Sequence, residues 1–212
     1  MSIWRHPGVV GSNPTGAIFI MEERTDKIIS FLKEIDKFKD VKREIFLKDR
    51  NENDAEHSWH LAMFVILFER DLPEKLDFKK MLKFALMHDL VEIYAGDTFF
   101  FDEEGRKDKK EREEKAAQRL FSQLPEDLAN DFFGLFREYE DSETEESKIV
   151  HAFDKMHPLL QNLISEGKTW KKHDISYEKL DKNKRKYVEN NQLTFNIYEK
   201  FMKEAKDKGF LK

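Results

Sequence analysis

Four side chains of metal-ligand type are scattered along the chain: His57, the adjacent pair His88 and Asp89, and Asp154. Each lies in or next to a segment with helical periodicity, and each is embedded among apolar residues. An unpartnered charge in such surroundings is costly. Imidazole with carboxylate, in the absence of thiolate, suits Mn²⁺, Co²⁺, Fe²⁺, Ni²⁺ or Zn²⁺. The four residues therefore predict a divalent-metal site in a metal-dependent hydrolase.

Other histidines offer competing assignments. His57 alone would also fit a buried neutral histidine that bonds to the backbone, and His60, three residues on, could face the same site. His151 and His157 each lie one helical turn from Asp154, so either could be a ligand in its place. The residue pattern alone leaves these alternatives open.

Three further residues could complete a hydrolytic site. A cation would acidify a water and stabilise charge on a phosphoryl group. Glu92 shares a helix face with the His-Asp pair and is placed to position or deprotonate that water. Asp97 is the candidate acid for the leaving alkoxide, and Arg43 could clamp phosphate. The alternatives are an ordinary surface glutamate, a turn aspartate and a surface arginine.

Composition excludes several other classes. Cysteine is absent, which rules out disulfides, thiolate metal sites and a cysteine nucleophile. No stretch approaches the length of a membrane span, and with a net charge of −5 no basic stripe dominates. We therefore expect neither a membrane nor a nucleic acid as partner, and we predict a cytoplasmic protein.

From Met21 onward, apolar residues recur at helical spacing, which predicts an all-α globular fold of six to eight helices. No alternating strand pattern is visible, and residues 39–53 look polar and irregular. Ser142 and Glu145 predict a capping box. The predicted helices cover residues 22–38, 55–70, 77–95, 107–122, 125–140, 143–165 and 183–207.

The first 20 residues differ from the rest. They hold three of the eight glycines and two of the five prolines, with no Lys, Asp or Glu. We predict that residues 1–20 are an extension foreign to the fold, and that residues 21–212 form one domain. Its core motifs would lie within 40–165, followed by a C-terminal helical extension of open role.

The order of these motifs resembles the HD-domain superfamily of metal-dependent phosphohydrolases. NDAEHSWH, MHDLVEIYAGD and IVHAFDKM are similar to three motifs of the HD-domain 5′-deoxynucleotidases. The resemblance covers residues 25–165. It implies an all-α homodimer that removes phosphate from deoxynucleoside 5′-monophosphates.

The resemblance also implies residue roles. His57, His88, Asp89 and Asp154 would hold the metal, usually Co²⁺ or Mn²⁺ in this group, with Mg²⁺ a further candidate beside the ions already named. Glu92 would orient the attacking water. The implied substrate contacts are Arg43 for the phosphate, Asp97, which would also donate a proton, and Thr98.

Two departures from the family pattern concern the substrate. Glu44 follows Arg43, where the characterised bacterial type has a Trp that favours deoxyribose. The loop after Asp97 carries the aromatic run 99–101, which could stack a base or fill a core or dimer surface. The alternative functions are another HD-type hydrolase, a phosphodiesterase or nucleotide pyrophosphatase, or a non-catalytic nucleotide- or metal-binding module.

Overall fold

The computed structural model describes residues 14–211. It confirms the predicted all-α fold and adds one small hairpin, described below. Residues 1–13 of the predicted extension lie outside the described residues. The first described helix begins at Pro14. The helices of the described part are α1 (Pro14–Glu34), α2 (Asp54–Phe68), α3 (Phe78–Met87), α4 (Glu92–Ala95), α5 (Lys109–Phe121), α6 (Glu126–Asp141), α7 (Glu145–Ile164), α8 (Lys168–Lys172), α9 (Tyr177–Val188) and α10 (Gln192–Asp207).

A short antiparallel hairpin occupies the segment expected to be irregular. β1 (Lys42–Phe46) pairs with β2 (Asn51–Asn53), and the register shifts between its two ends. β2 leads directly into α2, whose N-terminus is closed by a capping box between Asn53 and Glu56. Strands this short cannot show a clear alternation, so the sequence pattern missed them. The hairpin fixes the direction from which Arg43 approaches α2.

The predicted helix 77–95 is divided at the His-Asp pair. α3 ends at Met87, and the next backbone bonds span three residues instead of four, as in Leu90 N–H to the Met87 carbonyl at 3.1 Å. Glu92 N–H bonds to the Asp89 carbonyl in the same way, at 2.9 Å. Tightening the turn changes the angle between successive side chains. Two adjacent residues can therefore face one point.

The N-terminal cap of α7 differs from the prediction. Thr144 is the cap residue, and its hydroxyl accepts a hydrogen bond from Ser147 N–H at 3.3 Å. Ser142 instead follows the last residue of α6 and has a left-handed backbone with φ of 50°. The predicted box with Glu145 is therefore wrong, because Ser142 ends the preceding helix and the cap of α7 lies two positions further on, at Thr144.

α7 lies at the centre of the main core and packs against α2, α3, α9 and α10. Fully buried side chains from the last two helices include Leu180, Val188, Tyr198 and Met202. The C-terminal segment, whose role the sequence left open, therefore completes the core. A second cluster joins α5 and α6 to Phe31 and Phe38. Within residues 14–211, none of the helices has both the length and the apolar character needed to span a bilayer.

Candidate metal centre

The four predicted ligands meet at one point between α2, the turn after α3, and α7. His57 Nε2 lies 3.0 Å from Asp154 Oδ1 and 3.7 Å from Asp89 Oδ2. His88 Nε2 lies 3.1 Å from Asp89 Oδ2 and 3.9 Å from Asp154 Oδ1. We call His57, His88, Asp89 and Asp154 the ligand cluster. Residues separated by up to 97 positions in sequence thus present ligand atoms to a shared space.

The chemistry of the cluster fits a divalent cation. The Nε2 atoms of His57 and His88 are buried, and neither makes a hydrogen bond within residues 14–211 although carboxylates lie close by. Buried polar atoms are normally hydrogen-bonded, so two such atoms aimed at two carboxylates indicate a shared cationic partner. Burial, followed by the charge of Arg43, lowers the pKa of His57 to about 4. The imidazole is thereby kept neutral, the form that binds metal.

The carboxylates of the cluster are held in their charged form. Burial alone would raise the pKa of Asp89, but His88 and Arg43 more than offset it and lower that pKa. Burial likewise opposes ionisation of Asp154, whose pKa is nonetheless well below its usual value because Lys155 and His57 face it. Both aspartates are thus prepared to act as anionic ligands.

Two of the competing histidines, His157 and His60, lie on the side of His57 that faces away from the ligand cluster. His157 Nδ1 is 3.0 Å from His57 Nδ1, and His157 Nε2 is 3.1 Å from His60 Nδ1. The contact with His157 occupies Nδ1 of His57 and leaves Nε2 for the cluster. Contacts of this kind orient ligand histidines. Glu52, His57 and His157 also come close enough to form a second ligand-type group. In that group, however, the imidazoles already bond to each other.

His151 points elsewhere. Its Nε2 donates to the Tyr139 carbonyl at 2.8 Å, and its ring stacks on the Tyr139 ring with centroids 3.9 Å apart. Burial, followed by the charge of Lys155, lowers its pKa to about 4. The Nε2 that donates to this carbonyl has no lone pair for a metal, whereas Nδ1 is buried and has no hydrogen-bond partner among the described residues.

Arg43 reaches the cluster from β1 and contacts several carboxylates. Its Nη1 donates to Asp89 at 2.8 Å and to Asp54 at 3.0 Å, and its Nε lies 3.3 Å from Glu52. The side chain is only 11% exposed. Burial alone would lower its pKa, but the surrounding carboxylates, Asp89 first, raise it well above the usual value. The predicted phosphate-binding residue is therefore in place as a counter-ion of the cluster.

Sequence reasoning missed Asp54 and Glu52. Both are buried beside Arg43. Burial raises the pKa of Asp54 to about 7, with help from Asp89, and that of Glu52 to about 8. The available signal was the acid-rich run NENDAE immediately before His57. Its importance depends on the hairpin that folds Arg43 over it.

Glu92 begins α4 and is 3% exposed. Its carboxylate lies within a group formed with Asp54 and Asp89, all three offering oxygens within 4.8 Å of one another. Oε1 is 3.4 Å from Lys109 Nζ, whereas the buried Oε2 has no hydrogen-bond partner in the described part of the chain. Burial raises its pKa well above the ordinary value, and the charge of Asp89 adds to this. A carboxylate with a raised pKa is suited to accept a proton.

Asp97 and Thr98 follow Gly96, whose φ of 75° turns the chain out of α4. Asp97 lines the same cavity as Arg43, and its carboxylate accepts a hydrogen bond from the Glu44 backbone. Burial raises its pKa. The Thr98 hydroxyl accepts from Arg112 Nη2 at 3.0 Å. Both predicted substrate contacts therefore lie at the cavity, with the hydroxyl of Thr98 already engaged.

The cavity opens from the ligand cluster towards the loop 97–105 and α9. Glu44 lines it and accepts a hydrogen bond from His173 Nε2 at 2.9 Å, and Lys172 pairs with the same carboxylate. Its other lining residues include Asp89, Glu92, Asp154, Lys155, Lys184 and the aromatic run 99–101.

The family comparison covers the part of the chain that holds these residues. The model of the HD domain matches residues 35–195, which is most of the chain. The chain belongs to the HD-domain family. The resemblance expected from the three motifs is thus confirmed, and the matched region extends into α10, beyond the motifs themselves.

Individual relatives add detail. A solved protein from Magnetospirillum magnetotacticum, described as a predicted metal-dependent phosphohydrolase, is 40% identical; the match covers 89% of this chain and 95% of that one, with a TM-score of 0.82. The mouse 5′-deoxynucleotidase HDDC2 is 30% identical over 53% of this chain and 55% of its own length. The human protein of that name is 28% identical over 63% and 66%. The chain thus spans between about half and two thirds of these curated relatives.

Proposed function

We propose that this protein is a metal-dependent phosphomonoesterase that hydrolyses nucleoside 5′-monophosphates, with the deoxy forms preferred. The observation that carries the proposal is the convergence of four ligand side chains beside a cavity that also holds Arg43, Glu92 and Asp97. The HDDC2 relatives are named 5′-deoxynucleotidases. A pocket of this composition fits a small anionic ester.

The ligand cluster would hold the cation, Co²⁺ or Mn²⁺ by the family resemblance. When bound, such an ion supplies Lewis-acid stabilisation of phosphoryl charge and lowers the pKa of water. Glu92 accepts a proton from the attacking water through its unbonded Oε2. Asp97, whose pKa is raised by burial, donates a proton to the leaving 5′-oxygen. One water is consumed, the P–O ester bond breaks, and nucleoside and phosphate are released.

Arg43 orients the phosphate while it balances the charge of Asp54 and Asp89. Thr98 contributes the cavity edge next to Asp97. We also propose a homodimer, for which Trp59 and Leu67 supply exposed apolar surface on α2, being 63% and 70% exposed. A cytoplasmic location stays a prediction.

The test is phosphate release from deoxy- and ribonucleoside 5′-monophosphates by chelator-stripped protein resupplied with Co²⁺, Mn²⁺, Mg²⁺ or Zn²⁺. Metal-dependent release, faster with the deoxy substrates, is expected. A phosphodiester and a nucleoside triphosphate are included as controls. Turnover of these alone would replace the proposal by another hydrolase class, and absence of turnover with bound metal would indicate a binding module.

A further inference from the structure

Lys184 is a buried lysine that the proposed reaction does not use. It lies on α9, is 3% exposed, and lines the cavity. Its contact within residues 14–211 is the face of Phe100, with Nζ 3.7 Å from the ring centroid; it makes neither a hydrogen bond nor an ion pair there. A buried lysine without an anion is costly and is rarely kept without a use.

Other cations surround the same space. Lys155 Nζ lies 5.9 Å from the Phe100 ring centroid, and the Arg106 guanidinium lies 5.1 Å from it. We call Arg106, Lys155 and Lys184 the basic wall. Lys155 donates to Asp154 at 2.6 Å, so this member of the basic wall already has a carboxylate partner. Burial lowers the pKa of Lys184 well below its usual value, and its neighbours Lys155, Arg43 and Arg106 add to this.

The wall adjoins the ligand cluster. Lys155 follows Asp154 in sequence and contacts its Oδ2, while Asp154 Oδ1 faces His57. An anion held between Lys155 and Lys184 therefore lies beside the cluster. A tetrahedral phosphate has enough oxygens to engage an ammonium on one side and to face the cluster with the others.

We propose that Lys184 binds a phosphate oxyanion, together with Lys155, at the inner end of the cavity. That the phosphate belongs to a monoester substrate rests on the proposed function. The need of the basic wall for an oxyanion is independent of it. α9 thereby gives the catalytic domain a substrate-binding residue from outside the three motifs.

The test is calorimetric titration of the whole protein in chelator, where no turnover occurs. Inorganic phosphate and deoxyadenosine 5′-monophosphate are titrated separately, so that recognition of the oxyanion is distinguished from recognition of the nucleoside. Lys184→Met removes the charge and keeps the length of the side chain. Lys184→Arg retains the charge. Lys182→Met is the matched control, since Lys182 is exposed on the same helix.

We expect Lys184→Met to weaken binding of both probes about tenfold or more, the effect of one charged hydrogen bond. Lys184→Arg should stay within a few-fold of wild type, and Lys182→Met should bind like wild type. If wild type binds no phosphate, or if Lys184→Met weakens binding less than about threefold, the proposal is overturned.

A purely structural role is separated by thermal unfolding without phosphate. Lys184→Met replaces a buried amine that has no polar partner among residues 14–211 with an apolar side chain, so the melting temperature should equal that of wild type or be higher. If Lys184 only held Phe100, the variant would melt lower and bind phosphate normally, which contradicts the proposal. Phosphate binding that depends on Lys184, in a protein without nucleotidase activity, would sink the proposed function and leave this inference standing.

Discussion

The two sides of the cavity balance their charges differently. In the ligand cluster, each carboxylate faces an imidazole, and Asp89 also receives Arg43. In the basic wall, Lys155 has Asp154, whereas Lys184 contacts the face of Phe100 and has no hydrogen-bond or ion-pair partner among residues 14–211. We propose that the first side binds a cation and the second an anion. On this proposal, motif residues supply one half of a phosphate site, and a helix outside those motifs supplies part of the other.

The largest effect should come from breaking the ligand cluster. Asp154→Ala removes the oxygen that lies 3.0 Å from His57. We expect metal affinity to fall by at least about 100-fold, beyond the range seen for outer-shell partners, and activity to be lost. Metal content and circular dichroism check this. Retained activity with normal metal content would move the ligand role towards His151 or His157.

Glu92→Gln should separate metal binding from turnover. The amide keeps the size of the side chain but cannot accept the water proton, so kcat should fall about 10²–10⁴-fold while metal content stays near wild type. Glu113→Gln is the control, because Glu113 pairs with the same Lys109 as Glu92 does. It should leave kcat near that of wild type. Normal turnover in Glu92→Gln would exclude the proposed base.

Arg43→Met tests how strongly the stability of the protein depends on the arginine that neutralises the buried carboxylates around it. The change leaves Asp54, Asp89 and Glu52 buried without their arginine. The free energy of unfolding in chelator should therefore fall by about 3–5 kcal/mol. Arg50→Met is the matched control, since Arg50 pairs with Glu56 while 56% exposed, and it should cost no more than about 1 kcal/mol.

Equal losses of unfolding free energy in Arg43→Met and Arg50→Met would show that the buried carboxylates do not depend on Arg43. If binding of added phosphate were lost in Arg43→Met while the loss of stability stayed small, phosphate binding would be the main task of Arg43 instead.

The smallest effect concerns His151 and acid stability. Its pKa is lowered from 6.5 to about 4 in the folded protein, so the unfolded chain takes up a proton first as the pH falls. Stability from this group is therefore lost as the pH falls from 6.5 towards 4, by on the order of 2–3 kcal/mol. His151→Gln should lose stability less steeply over that window and keep its metal. An unchanged slope, or loss of metal, would contradict the assignment.

Much of the fold could be predicted because helical periodicity is local. The helices around His57 and Asp154 were located correctly, since their apolar stripes repeat with the helix period. The hairpin was missed because β2 has three residues. The division of helix 77–95 was missed too, because nothing in its apolar pattern marks a change from four-residue to three-residue hydrogen bonds.

The sequence by itself determined which groups are candidates to bind a cation, because residue type and order supply the ligand-type side chains and the motifs of the family. The tertiary structure alone decided how these groups meet. The hairpin brings Arg43 within 2.8 Å of Asp89, and packing of α9 on α7 brings Lys184 to the cavity beside Lys155. Such approaches depend on how whole helices pack, and packing over long separations leaves no periodic trace in the chain.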